Sequence, residues 1–143
     1  HAVVHFEADR LEVLAPFLKT LSVPMVIDHM GRPDASRGID QAPFKMLLDL
    51  MEDDRFWVKV SGAERITKSG PPYADAVPFA RTLVSRFEDR VLWGTDWPHP
   101  NIKKNMPDDG ALVDLLMQIA PTEELLEKLL VTNPTRLYWP ETI

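Results

Sequence analysis

The chain has 143 residues, of which 45% are hydrophobic and 27% charged, and its formal net charge is −6 at pH 7. These values predict one globular domain over residues 1–143, and they exclude a general attraction to nucleic acid or to an anionic membrane surface. No apolar run is long enough to span a bilayer, and the absence of cysteine excludes disulfides and thiolate metal sites. We therefore expect a cytoplasmic protein.

Strand-like and helix-like segments alternate along the chain. Four mostly apolar segments of strand length cover residues 2–6, 24–29, 56–62 and 90–96. Segments with apolar residues at helical spacing cover residues 9–20, 41–53, 75–87, 110–120, 122–131 and 133–138. Strands that are apolar almost throughout, each followed by an amphipathic helix, indicate an α/β protein with a parallel sheet covered by helices.

The fold predicted from this order is part of a (β/α)8 TIM barrel. Neither GxGxxG nor GxxxxGK[ST] follows a strand, which disfavours the common nucleotide-binding open sheets. A barrel of eight units takes about 250 residues, so four units plus C-terminal helices make half a barrel. We interpret the chain as the carboxyl-terminal half. Its two outer strands would have unpaired edges, which favour self-association.

Every predicted strand ends in polar residues that can take part in chemistry. These ends carry His5, Asp28 with His29, Ser61 with Arg65 just beyond it, and Asp96. In a β/α barrel, the active site lies at the carboxyl ends of the strands. We therefore expect these side chains to face one cavity that binds a small molecule.

Four motifs give the chain a family resemblance. In chain order they are VIDHMGRPD, VKVSGAER, VLWGTDWPHPN and NPTRLYWP. Together they resemble the amidohydrolase superfamily, and most closely its lactonase branch, which contains the 2-pyrone-4,6-dicarboxylate hydrolases. The resemblance implies a distorted barrel that hydrolyses a cyclic ester. The implied reaction opens the pyrone dicarboxylate to oxalomesaconate during the breakdown of lignin-derived aromatic compounds.

The resemblance also implies roles for individual residues. Asp96 takes the position of the catalytic aspartate, and His29 takes that of the histidine after the sixth strand. Arg65 matches an arginine that grips a substrate carboxylate. His5 falls where the pyrone hydrolases favour an aromatic hydroxyl, and we place it among the substrate contacts. The implied partner is a small dicarboxylate lactone, and this branch resembles enzymes that work without a metal.

Asp96 is the residue that we expect to act as the general base. Lactone hydrolysis needs a water molecule that loses a proton as it attacks the carbonyl, and a carboxylate at the mouth of a barrel can take that proton. His29 would polarise the carbonyl or hold the water. The structural alternatives are that Asp96 only caps the next turn and that His29 only bonds to a neighbouring loop. Alternation along the strand predicts that Asp28 points away from His29.

The remaining candidates are expected to contact the substrate. Arg65 can hold a carboxylate through two parallel hydrogen bonds, or it can be a solvated arginine paired with Glu64. Arg32 is a weaker candidate for a second anion contact. Ser61 would add a hydrogen bond or only cap a strand end. His99 would contact substrate, orient the catalytic carboxylate or be structural.

A metal site is the main alternative for the same residues. His5, His29, Asp96 and His99 offer imidazole and carboxylate groups, which suit zinc. Metal-dependent members of the superfamily take two further ligands from an HxH strand motif, and this sequence has no counterpart of that motif. We therefore predict that the site holds no metal. The alternative is one divalent ion such as zinc. The competing functions are a metal-dependent amidohydrolase or decarboxylase of the same superfamily, and a non-catalytic half barrel or assembly module. We expect the isolated chain to be inactive without an amino-terminal half.

Overall fold

The structure, a computed structural model, describes residues 1–142 and contains a four-stranded parallel sheet. Its strands lie side by side in chain order: β1 (Ala2–Val4), β2 (Met25–Ile27), β3 (Phe56–Lys59) and β4 (Val91–Leu92). Among the described residues, every helix is too short or too polar to cross a membrane. The prediction of an α/β half barrel with parallel strands is confirmed.

Eight α-helices and several single turns connect and follow the strands in the described part of the chain. The helices are α1 (Leu11–Leu18), α2 (Ala42–Leu50), α3 (Ala63–Ile66), α4 (Val77–Arg86), α5 (Asp109–Asp114), α6 (Leu116–Ile119), α7 (Glu123–Glu127) and α8 (Asn133–Tyr138). Turns of 3₁₀ type cover Ala8–Arg10, Asp28–Gly31, Ala35–Arg37 and Pro140–Thr142, and a π turn covers Lys128–Thr132. Asp108 and Thr122 start α5 and α7 because their side chains accept hydrogen bonds from backbone N–H groups of the first turn.

The strand side chains alternate between two apolar layers. The main core beneath the helices contains Met25, Ile27, Phe56, Val58 and Val91. The opposite layer contains Val26, Trp57 and Leu92, with Leu137 of α8 packed against them. The register pairs Val26 with Trp57 and Val58 with Val91, so residues of the same layer stand side by side. These layers form the outer and inner faces of a barrel wall.

All four strands are shorter than the sequence pattern predicts. They end at Val4, Ile27, Lys59 and Leu92 instead of reaching residues 6, 29, 62 and 96. His29 and Asp96 both have positive φ values, 50° and 67°, which turn the backbone out of the extended conformation. The two polar side chains therefore lie on tight turns just beyond the strands.

The C-terminal helices are tied to the sheet by a buried side chain. Asn133 is fully buried, and its Nδ2 donates hydrogen bonds to the backbone oxygens of Glu88 and Val91 at 2.8 and 2.9 Å. The predicted helix over residues 110–120 is interrupted at Leu115, which gives α5 and α6, and the sequence pattern does not predict α3.

β1 and β4 are the edges of this sheet. Within residues 1–142, β1 pairs with β2 alone and β4 pairs with β3 alone. An unpaired strand edge presents free N–H and C=O groups to another strand. Association through these edges stays a prediction.

Candidate active site

A cavity of about 440 Å³ opens beyond the carboxyl ends of the strands. Four of the predicted site residues lie on its wall: His5, His29, Arg65 and Asp96. The other lining residues are Asp28, Arg32, Pro100 and Asn101. Imidazole, carboxylate and guanidinium groups from separate strand ends therefore meet in one place.

The ring of His29 is held from behind by the segment that follows β3. His29 Nδ1 lies 2.9 Å from Ser61 Oγ, within hydrogen-bond distance, and a Cβ at Gly62 would lie only 2.8 Å from the ring. Burial lowers the pKa of His29, and the negative charges of Asp28 and Asp96 oppose this effect only in part. The imidazole is therefore neutral at pH 7.

Asp96 lies opposite His29, on the turn that follows β4. Its Oδ1 is 3.5 Å from His29 Nε2, and its backbone oxygen accepts a 2.7 Å hydrogen bond from the N–H of His99. The backbone of Asp96 thus closes the turn, and its carboxylate remains on the cavity wall. A carboxylate beside a neutral imidazole is an arrangement that can accept a proton from water.

Arg65 is fixed against the cavity wall and is not a solvated surface arginine. Its side chain is 11% exposed, and Nε donates a 2.5 Å hydrogen bond to Asp96 Oδ2. Nη2 contacts the same carboxylate oxygen and donates to the backbone oxygen of Pro100 at 3.0 Å. Glu64 is a more distant neighbour, with Oε1 3.8 Å from Nε. The guanidinium is therefore presented in one orientation, as recognition of a planar anion requires.

Asp28 lies on the cavity wall, so the expectation that it points away from His29 is wrong. Strand alternation does not apply because β2 ends at Ile27 and the next residues form a turn. Lys59 Nζ donates a 2.7 Å hydrogen bond to Asp28 Oδ1. The Lys59 ammonium therefore lies near the cavity, with its charge balanced by Asp28.

His5 and Arg32 form the side of the wall nearest β1. Arg32 Nη1 donates a 3.1 Å hydrogen bond to His5 Nε2 and contacts Glu7 Oε1 at 2.7 Å. The rings of His5 and His29 meet edge to face, with centroids 5.4 Å apart. Arg32 thus brings a guanidinium group to the cavity wall, paired with Glu7.

Ser61 and His99 lie behind the wall rather than on it. Ser61 is buried against His29, and His99 is buried between Glu64 and Asp109. Their predicted contacts with substrate stay predictions, since neither residue lines the cavity. Their positions suit a supporting role for His29 and Asp96, because buried neighbours of this kind fix the orientation of a catalytic side chain.

Glu64 is a feature of the site that the sequence pattern does not reveal. Its side chain is 3% exposed, although it stands next to Arg65 in a polar pair that looks solvent-facing. Burial raises the pKa of its carboxyl group, and the negative charge of Asp96 adds to the effect.

Two groups of potential metal-ligating side chains occur in the described residues. One is His5, Asp28 and His29, and the other is Glu64, Asp96 and His99. A cationic side chain already contacts a donor in each group: Arg32 and Lys59 in the first, and Arg65 in the second. A divalent ion at either group would lie beside these positive charges, which oppose its binding.

Comparison with known proteins identifies the family of this chain. A family model described as amidohydrolase matches residues 1–139. The chain belongs to the amidohydrolase family. A 2-pyrone-4,6-dicarboxylate hydrolase from Comamonas testosteroni is 53% identical, over 100% of this chain and 50% of the relative. A 4-sulfomuconolactone hydrolase from Hydrogenophaga intermedia is 48% identical, over 94% of this chain and 45% of the relative.

Solved structures of amidohydrolases have the same fold. A candidate 2-pyrone-4,6-dicarboxylic acid hydrolase from Acinetobacter baumannii, solved with citric acid bound, superposes with a TM-score of 0.82 and is 28% identical. The match covers 95% of this chain and 51% of that chain. This amidohydrolase chain thus spans about half the length of the relatives that it matches, and the predicted family membership is confirmed.

Proposed function

We propose that this chain forms the carboxyl-terminal half of a lactone hydrolase that opens 2-pyrone-4,6-dicarboxylate to oxalomesaconate without a metal. One observation carries the proposal: the carboxylate of Asp96, the neutral imidazole of His29 and the guanidinium of Arg65 meet on one cavity wall. The lactone hydrolases among the relatives support the same reaction class.

Arg65 is the proposed anchor for the substrate. A carboxylate of the pyrone takes the place of the Asp96 carboxylate on the guanidinium, with two parallel hydrogen bonds. Lys59 and Arg32 place two further cationic groups at the cavity, paired with Asp28 and Glu7, which a substrate carboxylate can also approach. The citric acid bound in the Acinetobacter relative supports a site for molecules with several carboxylates.

Asp96 and His29 then act on the ester. Once the substrate carboxylate has replaced it on Arg65, Asp96 takes a proton from a water molecule as the oxygen attacks the lactone carbonyl. His29 Nε2–H donates a hydrogen bond to the carbonyl oxygen, where negative charge develops. The C–O bond of the ring breaks, and the proton held by Asp96 passes to the leaving enol oxygen. The products are a carboxylic acid and an enol.

The proposal of metal independence depends on three cationic side chains, Arg32, Lys59 and Arg65, which contact atoms that would otherwise be free to bind a metal. One observation favours the metal-dependent alternative, because Glu64 and His99 offer donor atoms with no hydrogen-bond partner among the described residues. Metal content separates the two. A metal-independent hydrolase retains full turnover after chelation, whereas stoichiometric zinc or manganese together with loss of turnover on chelation would favour the alternative.

The direct test is hydrolysis of the pyrone by the complete protein that contains this chain, followed by the loss of pyrone absorbance. Asp96→Asn should lower kcat by about 10³-fold, because the amide cannot accept the proton. Turnover at the wild-type level in Asp96→Asn would contradict the assignment. We also propose that residues 1–143 alone are inactive, since the chain spans only about half the length of the lactone hydrolases that it matches. A cytoplasmic location stays part of this proposal.

A further inference from the structure

A row of titratable groups leads from Asp96 to the protein surface. It consists of Glu64, His99 and Asp109, and we call it the polar row. Glu64 Oε1 lies 3.6 Å from His99 Nδ1, and His99 Nε2 lies 3.2 Å from Asp109 Oδ1. Ligand atoms of Asp96, Glu64 and His99 all lie within 4.8 Å of one another. The row ends in solvent, because the side chain of Asp109 is 42% exposed.

Glu64 and His99 lack the partners that buried polar groups normally have. Each side chain is 3% exposed. Both carboxyl oxygens of Glu64 and Nδ1 of His99 have no hydrogen-bond partner on another residue within residues 1–142. Most buried polar atoms are hydrogen-bonded, so unpaired ones need a reason. Adjacent groups with free lone pairs can take up and pass on a proton.

The charges around Glu64 allow it to gain and lose a proton. Burial raises the pKa of its carboxyl group and the charge of Asp96 adds to this, whereas the backbone N–H of Glu64 itself, His99 and Arg65 act in the opposite direction. On its other side, Glu64 lines a second cavity of about 230 Å³ together with Lys68, Tyr73 and Lys104. Glu64 can therefore carry a proton at a pH where an exposed glutamate has lost it.

Each hydrolysis in the proposed reaction releases one proton. Water supplies two protons, and the first reaches the leaving enol oxygen through Asp96. The second stays on the new carboxyl group, which loses it at neutral pH. Each turnover therefore releases one proton inside a cavity that the substrate fills, and Asp96 is the nearest base.

We infer that the polar row carries this second proton from Asp96 to solvent. Asp96 passes the proton to Glu64, and Glu64 passes it to Nδ1 of His99. His99 releases its Nε2 proton to Asp109, which exchanges it with water. The inference rests on the proposed function, because without hydrolysis there is no proton to release.

The test measures turnover of the complete protein in weak and in concentrated imidazole buffer. Glu64→Gln and His99→Gln should lower kcat about tenfold or more, with KM unchanged, because the amides cannot relay a proton. Imidazole should restore kcat, since a small buffer can carry the proton instead. Asp108→Asn is the matched control: it neighbours Asp109, its side chain caps α5, asparagine caps equally well, and it should keep wild-type kcat.

The outcomes separate this inference from the proposed function. A wild-type protein that leaves the pyrone intact overturns both. Two results overturn the polar row alone, provided that the wild type is active. One is an unchanged kcat in Glu64→Gln, and the other is a loss of kcat in Glu64→Gln that imidazole does not restore. Circular dichroism checks the fold, and Asp109→Asn at the surface repeats the test if a buried variant does not fold. A loss of kcat restored by imidazole in that variant supports the row, and an unchanged kcat overturns it.

Discussion

Replacing Gly62 with alanine places a methyl group against the ring of His29. The new Cβ would lie 2.8 Å from both Cγ and Nδ1 of the ring. To reach the 3.4 Å of ordinary van der Waals contact, the ring must move by about 0.6 Å. The hydrogen-bond distance between His29 Nδ1 and Ser61 Oγ is 2.9 Å, so a shift of this size breaks it or turns the ring away from Asp96.

The cost of this change has two parts. Gly62 has a φ of +74°, where alanine is less stable by about 1–2 kcal/mol. Loss of the hydrogen bond to Ser61 adds about 1 kcal/mol to the loss in unfolding free energy. A catalytic group displaced by a fraction of an ångström to 1 Å loses up to about 10²-fold in kcat.

Gly70→Ala supplies the matched control for this prediction. Gly70 also has a φ of +74°, but a Cβ built there meets no atom within 4 Å. Both variants should share the backbone cost in urea unfolding, whereas only Gly62→Ala should lose the larger part of its pyrone turnover. Equal turnover in the two variants would refute the claim that Gly62 keeps the His29 ring in place.

Three further predictions concern Arg65, Ser61 and Glu64. Arg65→Lys should lower kcat/KM for the pyrone dicarboxylate by about 10²-fold, because lysine cannot form two parallel hydrogen bonds; initial rates across substrate concentrations measure this. Ser61→Ala should lower kcat about tenfold with little change in KM, because His29 loses its partner, and the same assay applies. Burial raises the pKa of Glu64, so the folded protein holds a proton that the unfolded chain releases, and unfolding free energy falls as pH rises above the ordinary glutamate range. Glu64→Gln should remove that fall, as measured by urea unfolding from acidic to neutral pH.

Each of these predictions has a contradicting result. An Arg65→Lys protein with wild-type kcat/KM would show that the guanidinium does not hold the substrate. A Ser61→Ala protein whose KM rises while kcat is unchanged would place Ser61 in substrate binding. Parallel pH profiles of unfolding free energy for the wild type and Glu64→Gln would show that Glu64 does not change its proton affinity on folding.

The convergence of the site could be predicted because it follows from the parallel sheet. His5, His29, Arg65 and Asp96 come after successive apolar segments, and parallel strands place their carboxyl ends at one edge. The outer layer could also be predicted, because helices with leucines at helical spacing bury that apolar face against the sheet. These features depend on local patterns and on one rule of topology.

The positions that could not be predicted depend on backbone turns and distant contacts. Asp28 reaches the cavity wall because residues after Ile27 leave the strand with positive φ values at non-glycine residues, which sequence does not signal. Glu64 is buried next to His99, which lies 35 residues further along the chain. The partner of Arg65 is likewise Asp96, a contact that only the folded chain creates.

A crystal structure of the complete Asp96→Asn protein with 2-pyrone-4,6-dicarboxylate bound would test the account most directly. It should show a substrate carboxylate on the Arg65 guanidinium and the lactone carbonyl oxygen within hydrogen-bond distance of His29 Nε2. The side chain at position 96 should lie beside the water that faces the carbonyl carbon. A substrate bound away from Arg65 and His29, or a metal ion between the substrate and position 96, would contradict it.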